Sequence, residues 1–185
     1  MTQKSAPDLH LCDMRTWIPT LHAGDRVLLS GTVYTARDAV HKRWAALNEE
    51  GKPLPVSFEN AAIYYAGPTP APDGLPIGSC GPTTSSRMDA YYPALARQGL
   101  LVTIGKGDRS EEVRTSIQQT GGIYFCAIGG AGALCAAHIR SARVVAYHEL
   151  GCESVKELEL CRMPLYVGID SFGHSIFERE GVSEE

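Results

Sequence analysis

The chain has 185 residues, a formal charge of −4 and ordinary apolar (44%) and charged (21%) fractions, enough for one globular domain with a sizeable core. The acidic balance and the lack of a basic cluster exclude the footprint that a nucleic-acid backbone requires. The first 25 residues mix Lys4, Asp8, Asp13, Arg15 and Asp25 among apolar neighbours, and no run approaches a membrane span, so a cytoplasmic protein without a membrane role is expected.

Residues 1–24 read as an irregular N-terminal segment, with Trp17 and Ile18 before Pro19 available to pack on the body or on a partner. Residues 26–34 (RVLLSGTVY) are rich in aliphatic and β-branched side chains and predict a strand. Thr35, three residues before Asp38, gives a box-like helix start, and Val40, Trp44 and Leu47 follow at helical spacing. Arg37 then falls in the first helical turn, where a cation opposes the helix dipole, which hints at an anion to be held. His41 is a candidate general base, against the plainer reading of a hydrogen-bonded helix histidine.

Residues 48–60 are polar and predict a loop, 61–66 (AAIYYA) a short strand. Residues 67–82 hold five prolines and four glycines, a long loop of the kind that is usually functional or disordered. A helix restarts at Pro93 and ends at Gly99. Residues 100–104 (LLVTI) form a continuous apolar run, as in a strand buried on both faces. Residues 111–119 predict a polar-faced helix, 123–128 (IYFCAI) a buried strand and 129–137 a small-residue helix without dinucleotide or Walker spacing. Residues 142–147 and 165–169 are the remaining strands, the last turning at Ser171–His174 into a hairpin arm. No repeat or linker interrupts the chain, so one α/β domain over 25–178 is expected, with a tail at 179–185.

Six cysteines stand at 12, 80, 126, 135, 152 and 161, at spacings that match neither zinc nor iron–sulfur ligand sets. They read as reduced, buried, small apolar residues, and no metal site is expected from this chain alone.

One stretch concentrates the chemistry: Gly81-Pro82-Thr83-Thr84-Ser85-Ser86-Arg87-Met88-Asp89. Gly-Pro turns or extends the chain, and any of the four hydroxyl residues can cap a helix start. Helix-start N–H groups, hydroxyls and Arg87 together make an anion site. A capped surface helix with a solvated arginine is the plain alternative. Lys106, held between Gly105 and Gly107 at a strand end, is either a ligand contact or a turn lysine. As bases, chemistry alone favours Asp38, His41 and Asp89.

GTVYTARDAVHKR (31–43), GPTTSSRMD (81–89), GKGDRS (105–110), GGIYFCAIGGAGA (121–133), HELG (148–151) and PLYVGIDSFGHSIF (164–177) occur in the order and at the spacing of a known family. Over roughly residues 20–178 the chain resembles the β-subunit, or C-terminal domain, of class I iron–sulfur fumarases and the related L-tartrate dehydratases. The resemblance implies a swivelling β/β/α fold. It implies a hydro-lyase of the tricarboxylic acid cycle type that reversibly hydrates fumarate to L-malate. Its [4Fe–4S] cluster would be held by cysteines of a partner α-subunit, in a heterodimer or heterotetramer. Arg37, Arg87 and Lys106 resemble the family's carboxylate binders, and Thr83 takes the place of its catalytic base. L-tartrate and mesaconate are the alternative substrates, and a non-catalytic dicarboxylate-binding module is the alternative of another class. The chain departs from the family in the stretch Gly129-Gly130-Ala131-Gly132-Ala133, at Ala131 and Gly132, and at Cys152, outside these four residues.

Overall fold

The computed structural model describes residues 5–128, 130 and 132–178. The expected tail at 179–185 and positions 129 and 131 of the glycine-rich stretch lie outside the described residues.

The N-terminal segment is not irregular. It runs as β1 (Asp8–His10), a 3₁₀ turn at Leu11–Asp13, α1 (Met14–Trp17) and a second turn at Ile18–Thr20. Leu11, Met14, Trp17, Ile18 and Leu21 recur at three- and four-residue steps and all enter the core, while Pro19 keeps the segment in short turns. Trp17 thus packs on the body itself, its Nε1 donating to the His10 carbonyl at 2.8 Å and its ring centroid 6.1 Å from that of Phe125.

Six further strands and four helices follow among the described residues. They are β2 (Arg26–Thr35), α2 (Asp38–Glu49), β3 (Ala62–Tyr64), α3 (Tyr92–Arg97), β4 (Val102–Gly105), α4 (Glu111–Thr120), β5 (Ile123–Cys126), α5 (Gly132–Ala136), β6 (Ile139–Ala146) and β7 (Val155–Ile169). β1 and β3 pair in parallel with successive parts of one edge of β2, and β3–β4–β5 continue in parallel. β7 runs antiparallel to both β2 and β5 and so closes β2–β3–β4–β5–β7 into a five-stranded barrel, with β6 on its outer margin.

Alternation along the strands separates two cores. Leu29, Val33, Tyr64, Val102, Ile104, Ile123, Phe125, Leu160, Leu165 and Val167 share one face around the barrel, together with the N-terminal segment. Ile63, Tyr65, Tyr124 and Ile169 face the other way, beneath Val40 and Trp44 of α2, Tyr92 and Leu95 of α3, and Val113 and Ile117 of α4. The helix-covered, doubly buried strands explain the continuous apolar runs.

β7 is far longer than its expected 165–169. The left-handed Arg162 (φ +52°) and a register shift opposite Gly31 interrupt its alternation, and Pro164 reads as a strand breaker. Gly31 has φ +120°, and a Cβ there would stand 3.0 Å from that of Leu11, so the barrel's bulge and the docking of the N-terminal segment use the same glycine.

Because Trp17 belongs to the barrel core, Trp17→Ala should cost about 3–5 kcal/mol of unfolding free energy in urea titration. A loss under about 1 kcal/mol would mean that the segment is dispensable.

Candidate active site

The parallel strands β2, β3 and β4 end side by side at Thr35, Tyr64 and Gly105, and a candidate residue stands at each end. Arg37 lies two positions beyond β2 and Lys106 one position beyond β4. Thr83 is brought to β3 by its backbone N–H, which donates to the Tyr65 carbonyl at 2.7 Å. Thr84 then bridges Lys106 in parallel, and the Ser85 N–H donates to the Lys106 carbonyl at 3.0 Å. Ligands of α/β sheets characteristically gather outside the carboxyl ends of the strands.

Arg37 occupies the N-cap of α2 in extended conformation (φ −120°), not the first helical turn. The expected cap residue, Thr35, ends β2 instead: its hydroxyl donates to the Ser154 carbonyl at 3.1 Å and accepts from the Lys156 N–H at 3.0 Å. The Arg37 guanidinium reaches the Glu153 carboxylate at 3.2 Å and packs so close to Gly67 that a Cβ there would lie 2.7 Å from Nη1. Its Nε is buried with no hydrogen-bond partner among the described residues.

Thr83–Asp89 forms a 3₁₀ turn, Ser85–Met88, rather than an α-helix start, and the N-cap residue Thr84 makes no side-chain capping bond. Arg87 projects from this turn with its side chain 49% exposed and meets Asp38 at 2.9 Å, at ion-pair distance but outside hydrogen-bond geometry for that oxygen. Asp38 is the first residue of α2, so this contact draws Arg87 to the helix start beside Arg37.

The three alternative bases are committed elsewhere. Asp38 pairs with Arg87. Asp89 is buried and accepts from Arg109 Nε and from the Ser110 N–H, both at 2.6 Å. His41 is fully buried, its Nδ1 2.9 Å from the Arg37 carbonyl and its ring among Trp44, Tyr65 and Tyr91. Burial lowers its pKa to about 4, the hydrogen bond to Arg37 opposes the shift, and the Arg109 charge adds to it. A neutral, enclosed imidazole has no access to a substrate proton.

Several partners were invisible in the sequence. Arg109 is buried with its guanidinium 5.1–5.3 Å from the ring centroids of Tyr65, Tyr92 and Tyr124. Such a charge is tolerable only with Asp89 and the three rings around it. Asp89 and Arg109 both lie in quoted motifs, but their pairing spans 20 positions. Glu153 comes from the turn between β6 and β7, with no local signal.

The cysteines are all free, but burial is uneven: Cys80 and Cys135 are buried, Cys12 and Cys152 exposed. Among the described residues no group of three or more His, Cys, Asp or Glu is arranged for a metal ion. Nor is any described helix long and apolar enough to cross a membrane.

The family model described as "Fumarase C-terminus" matches residues 2–180. The chain belongs to the fumarase C-terminus family. Members similar to it include "Fumarate hydratase 1, mitochondrial" of Leishmania major, 38% identical over 156 residues, and "Fumarate hydratase class I, anaerobic" of Escherichia coli K12, also 38% identical over 156 residues. Each match covers 83% of this chain but only 28% of the relative, so the chain spans under a third of the length of these fumarate hydratases. "Putative L(+)-tartrate dehydratase subunit beta" of Methanocaldococcus jannaschii is 35% identical over 167 residues, 87% of this chain and 86% of that protein. The matched region is thus a minor part of the two fumarate hydratases and most of the tartrate dehydratase subunit.

The lowered His41 pKa has a sign that can be checked. Between pH 6.5 and about 4 the unfolded chain binds a proton at this histidine and the folded chain does not, so its contribution to stability falls as pH falls through that window. Across it the wild type should lose more stability than His41→Phe, by roughly 1.4 kcal/mol per pH unit. Parallel stability–pH curves in urea titrations would contradict a neutral buried His41.

Proposed function

We propose that this chain is the β-subunit of a class I fumarate hydratase, a hydro-lyase active only with an α-subunit that carries a [4Fe–4S] cluster. One observation carries the reading: three adjacent parallel strand ends bring Arg37, Arg87, Lys106 and a threonine to one rim, and both guanidiniums already hold carboxylates of the chain itself. In this reading the barrel with its outer helices is a swivelling β/β/α domain over 25–178, with residues 1–24 as its N-terminal segment and 179–185 as its tail. The six free cysteines suit a reducing, cytoplasmic setting.

The donors of this chain do not fit a cluster. Burial raises the thiol pKa of Cys80 to about 12 and also raises those of Cys126 and Cys135, which disfavours thiolate ligands. We assign the cluster to the partner. The rim fits the substrate instead. Arginine offers paired donors to a planar carboxylate, and lysine a point charge. The Arg37–Glu153 and Arg87–Asp38 pairs are partly exposed, and such pairs contribute only about 0–1 kcal/mol, so an incoming carboxylate can displace or share them at little cost.

In the dehydration direction Thr83 Oγ, as the alkoxide, takes the proton from the carbon next to one carboxylate and becomes the hydroxyl, and the negative charge spreads into that carboxylate. The C–O bond at the neighbouring carbon breaks with its electron pair leaving on hydroxide, which takes a proton from solvent and departs as water. Hydration reverses these transfers. Fixed cations aimed at the carboxylate stabilise the developing charge. A threonine hydroxyl needs activation, and the nearby positive charge of Arg87 supplies it. L-tartrate is the second reading of the substrate, because the relative matched over 86% of its length is named as a tartrate dehydratase subunit.

Co-purified with its partner, the chain should turn over fumarate, and assays with mesaconate and L-tartrate identify the substrate. Arg87→Ala should lower kcat/KM about 10- to 100-fold, as expected for hydrogen bonds to charged groups, with little loss of stability. Arg87→Lys should recover only part. Thr83→Val should lower kcat by about 10²–10⁴ at nearly constant dicarboxylate affinity. Full kcat/KM in Arg87→Lys would refute paired recognition, and a mild Thr83→Val defect equal to that of Thr84→Val would remove Thr83 from proton transfer.

A further inference from the structure

Beneath the rim a buried chain of hydrogen bonds runs from one end of the Gly105-Lys106-Gly107 turn to the other. The Lys106 N–H donates to Ser85 Oγ at 3.0 Å, Ser85 Oγ lies 2.9 Å from the Tyr124 hydroxyl, and that hydroxyl donates to the Gly107 carbonyl at 2.8 Å. The two ends fix its direction. A backbone N–H can only donate and a carbonyl can only accept. Tyr124 therefore uses its proton on Gly107, and Ser85 must use its own on Tyr124. Every proton in the series has one place, and the tyrosine must be neutral; burial raises its pKa accordingly.

The packing leaves no slack. A Cβ on Gly105 would lie 2.0 Å from Ser85 Oγ and 2.9 Å from the Tyr65 ring, so glycine is what lets Ser85 lie against the end of β4. The Ser85 N–H returns a hydrogen bond to the Lys106 carbonyl at 3.0 Å. Below, Arg109 lies against the Tyr124 ring and Asp89 holds both Arg109 and the Ser110 N–H. The motif that carries Thr83 and Arg87 and the turn that carries Lys106 are thus joined through Ser85 and Tyr124.

We infer that Ser85 and Tyr124 are positioning residues that set where Lys106 stands relative to Thr83 and Arg87. They act through the Lys106 backbone and do not touch substrate. The inference rests on the reading of Lys106 as a carboxylate binder. It requires that loss of the tyrosine hydroxyl be felt as loss of lysine placement, not as general loosening. Tyr124→Phe keeps the ring against Arg109 and removes only the hydroxyl.

The test is a double-mutant cycle on the co-purified enzyme with fumarate as the probe. Tyr124→Phe and Ser85→Ala should each raise KM about 5- to 20-fold with kcat within about threefold of wild type, consistent with the loss of one buried hydrogen bond. In a Lys106→Met background Tyr124→Phe should add nothing. An equal effect in both backgrounds, or a fall in kcat at constant KM, overturns the inference. If Lys106→Met itself leaves KM unchanged, the carboxylate-binding role of Lys106 has failed instead. Lys106 amide exchange, followed by NMR in the full chain alone, then decides whether the turn is fixed as described. Exchange at least tenfold faster in both Tyr124→Phe and Ser85→Ala supports it, and unchanged exchange overturns it.

Discussion

β7 pairs antiparallel with β2 along one edge and with β5 along the other, and this double pairing governs the architecture. Without it β2–β5 would be an open parallel sheet with two unpaired edges. Closure satisfies the backbone groups of both outer strands, encloses one apolar face and leaves the other for α2, α3 and α4. It also brings the carboxyl ends of the parallel strands to a single rim, so residues far apart in the chain share one surface. The bend that β7 needs is made where Arg162 adopts a left-handed conformation opposite Gly31.

Electrostatics on that rim divides by depth. Arg109 and Asp89 are almost wholly buried, and removal of either partner would strand a charge in low dielectric, an error of about 3–5 kcal/mol. Such a pair cannot exchange partners and serves as framework. Arg87 and Arg37 stand higher, with side chains 49% and 22% exposed, and their carboxylates come from acidic side chains at a helix start and a turn. In the proposed reaction a ligand carboxylate would compete with Asp38 and Glu153 for these two guanidiniums. The same residue types thus do opposite work, separated by a few ångströms of burial.

Hydroxyl groups divide in the same way. Ser85 is sealed under the turn and spends both its donor and acceptor roles on Tyr124 and Lys106. Thr83 is only half-buried, with its backbone anchored to Tyr65. Anchoring by the main chain leaves its hydroxyl for chemistry, which makes it a suitable proton carrier in the proposed reaction.

By itself the sequence determined the local order: the strand at 26–34, a strand beginning at 123, the helix that carries Val40, Trp44 and Leu47, the glycine-bounded lysine at 106 and the family to which the chain belongs. These features are written in periodicity, turn residues and ordered motifs, all of which act over a few positions. Only the tertiary structure decided which acidic residue answers each arginine, since Glu153 reaches Arg37 across more than a hundred positions and Asp89 reaches Arg109 across twenty. It alone removed His41 from consideration, because burial is a property of everything packed around a residue. It also revealed the full length of β7 and the folded N-terminal segment, where a bulge and a proline broke the patterns that local reading depends on. Burial and long-range pairing arise from chain closure, and closure has no signature in any short stretch of sequence.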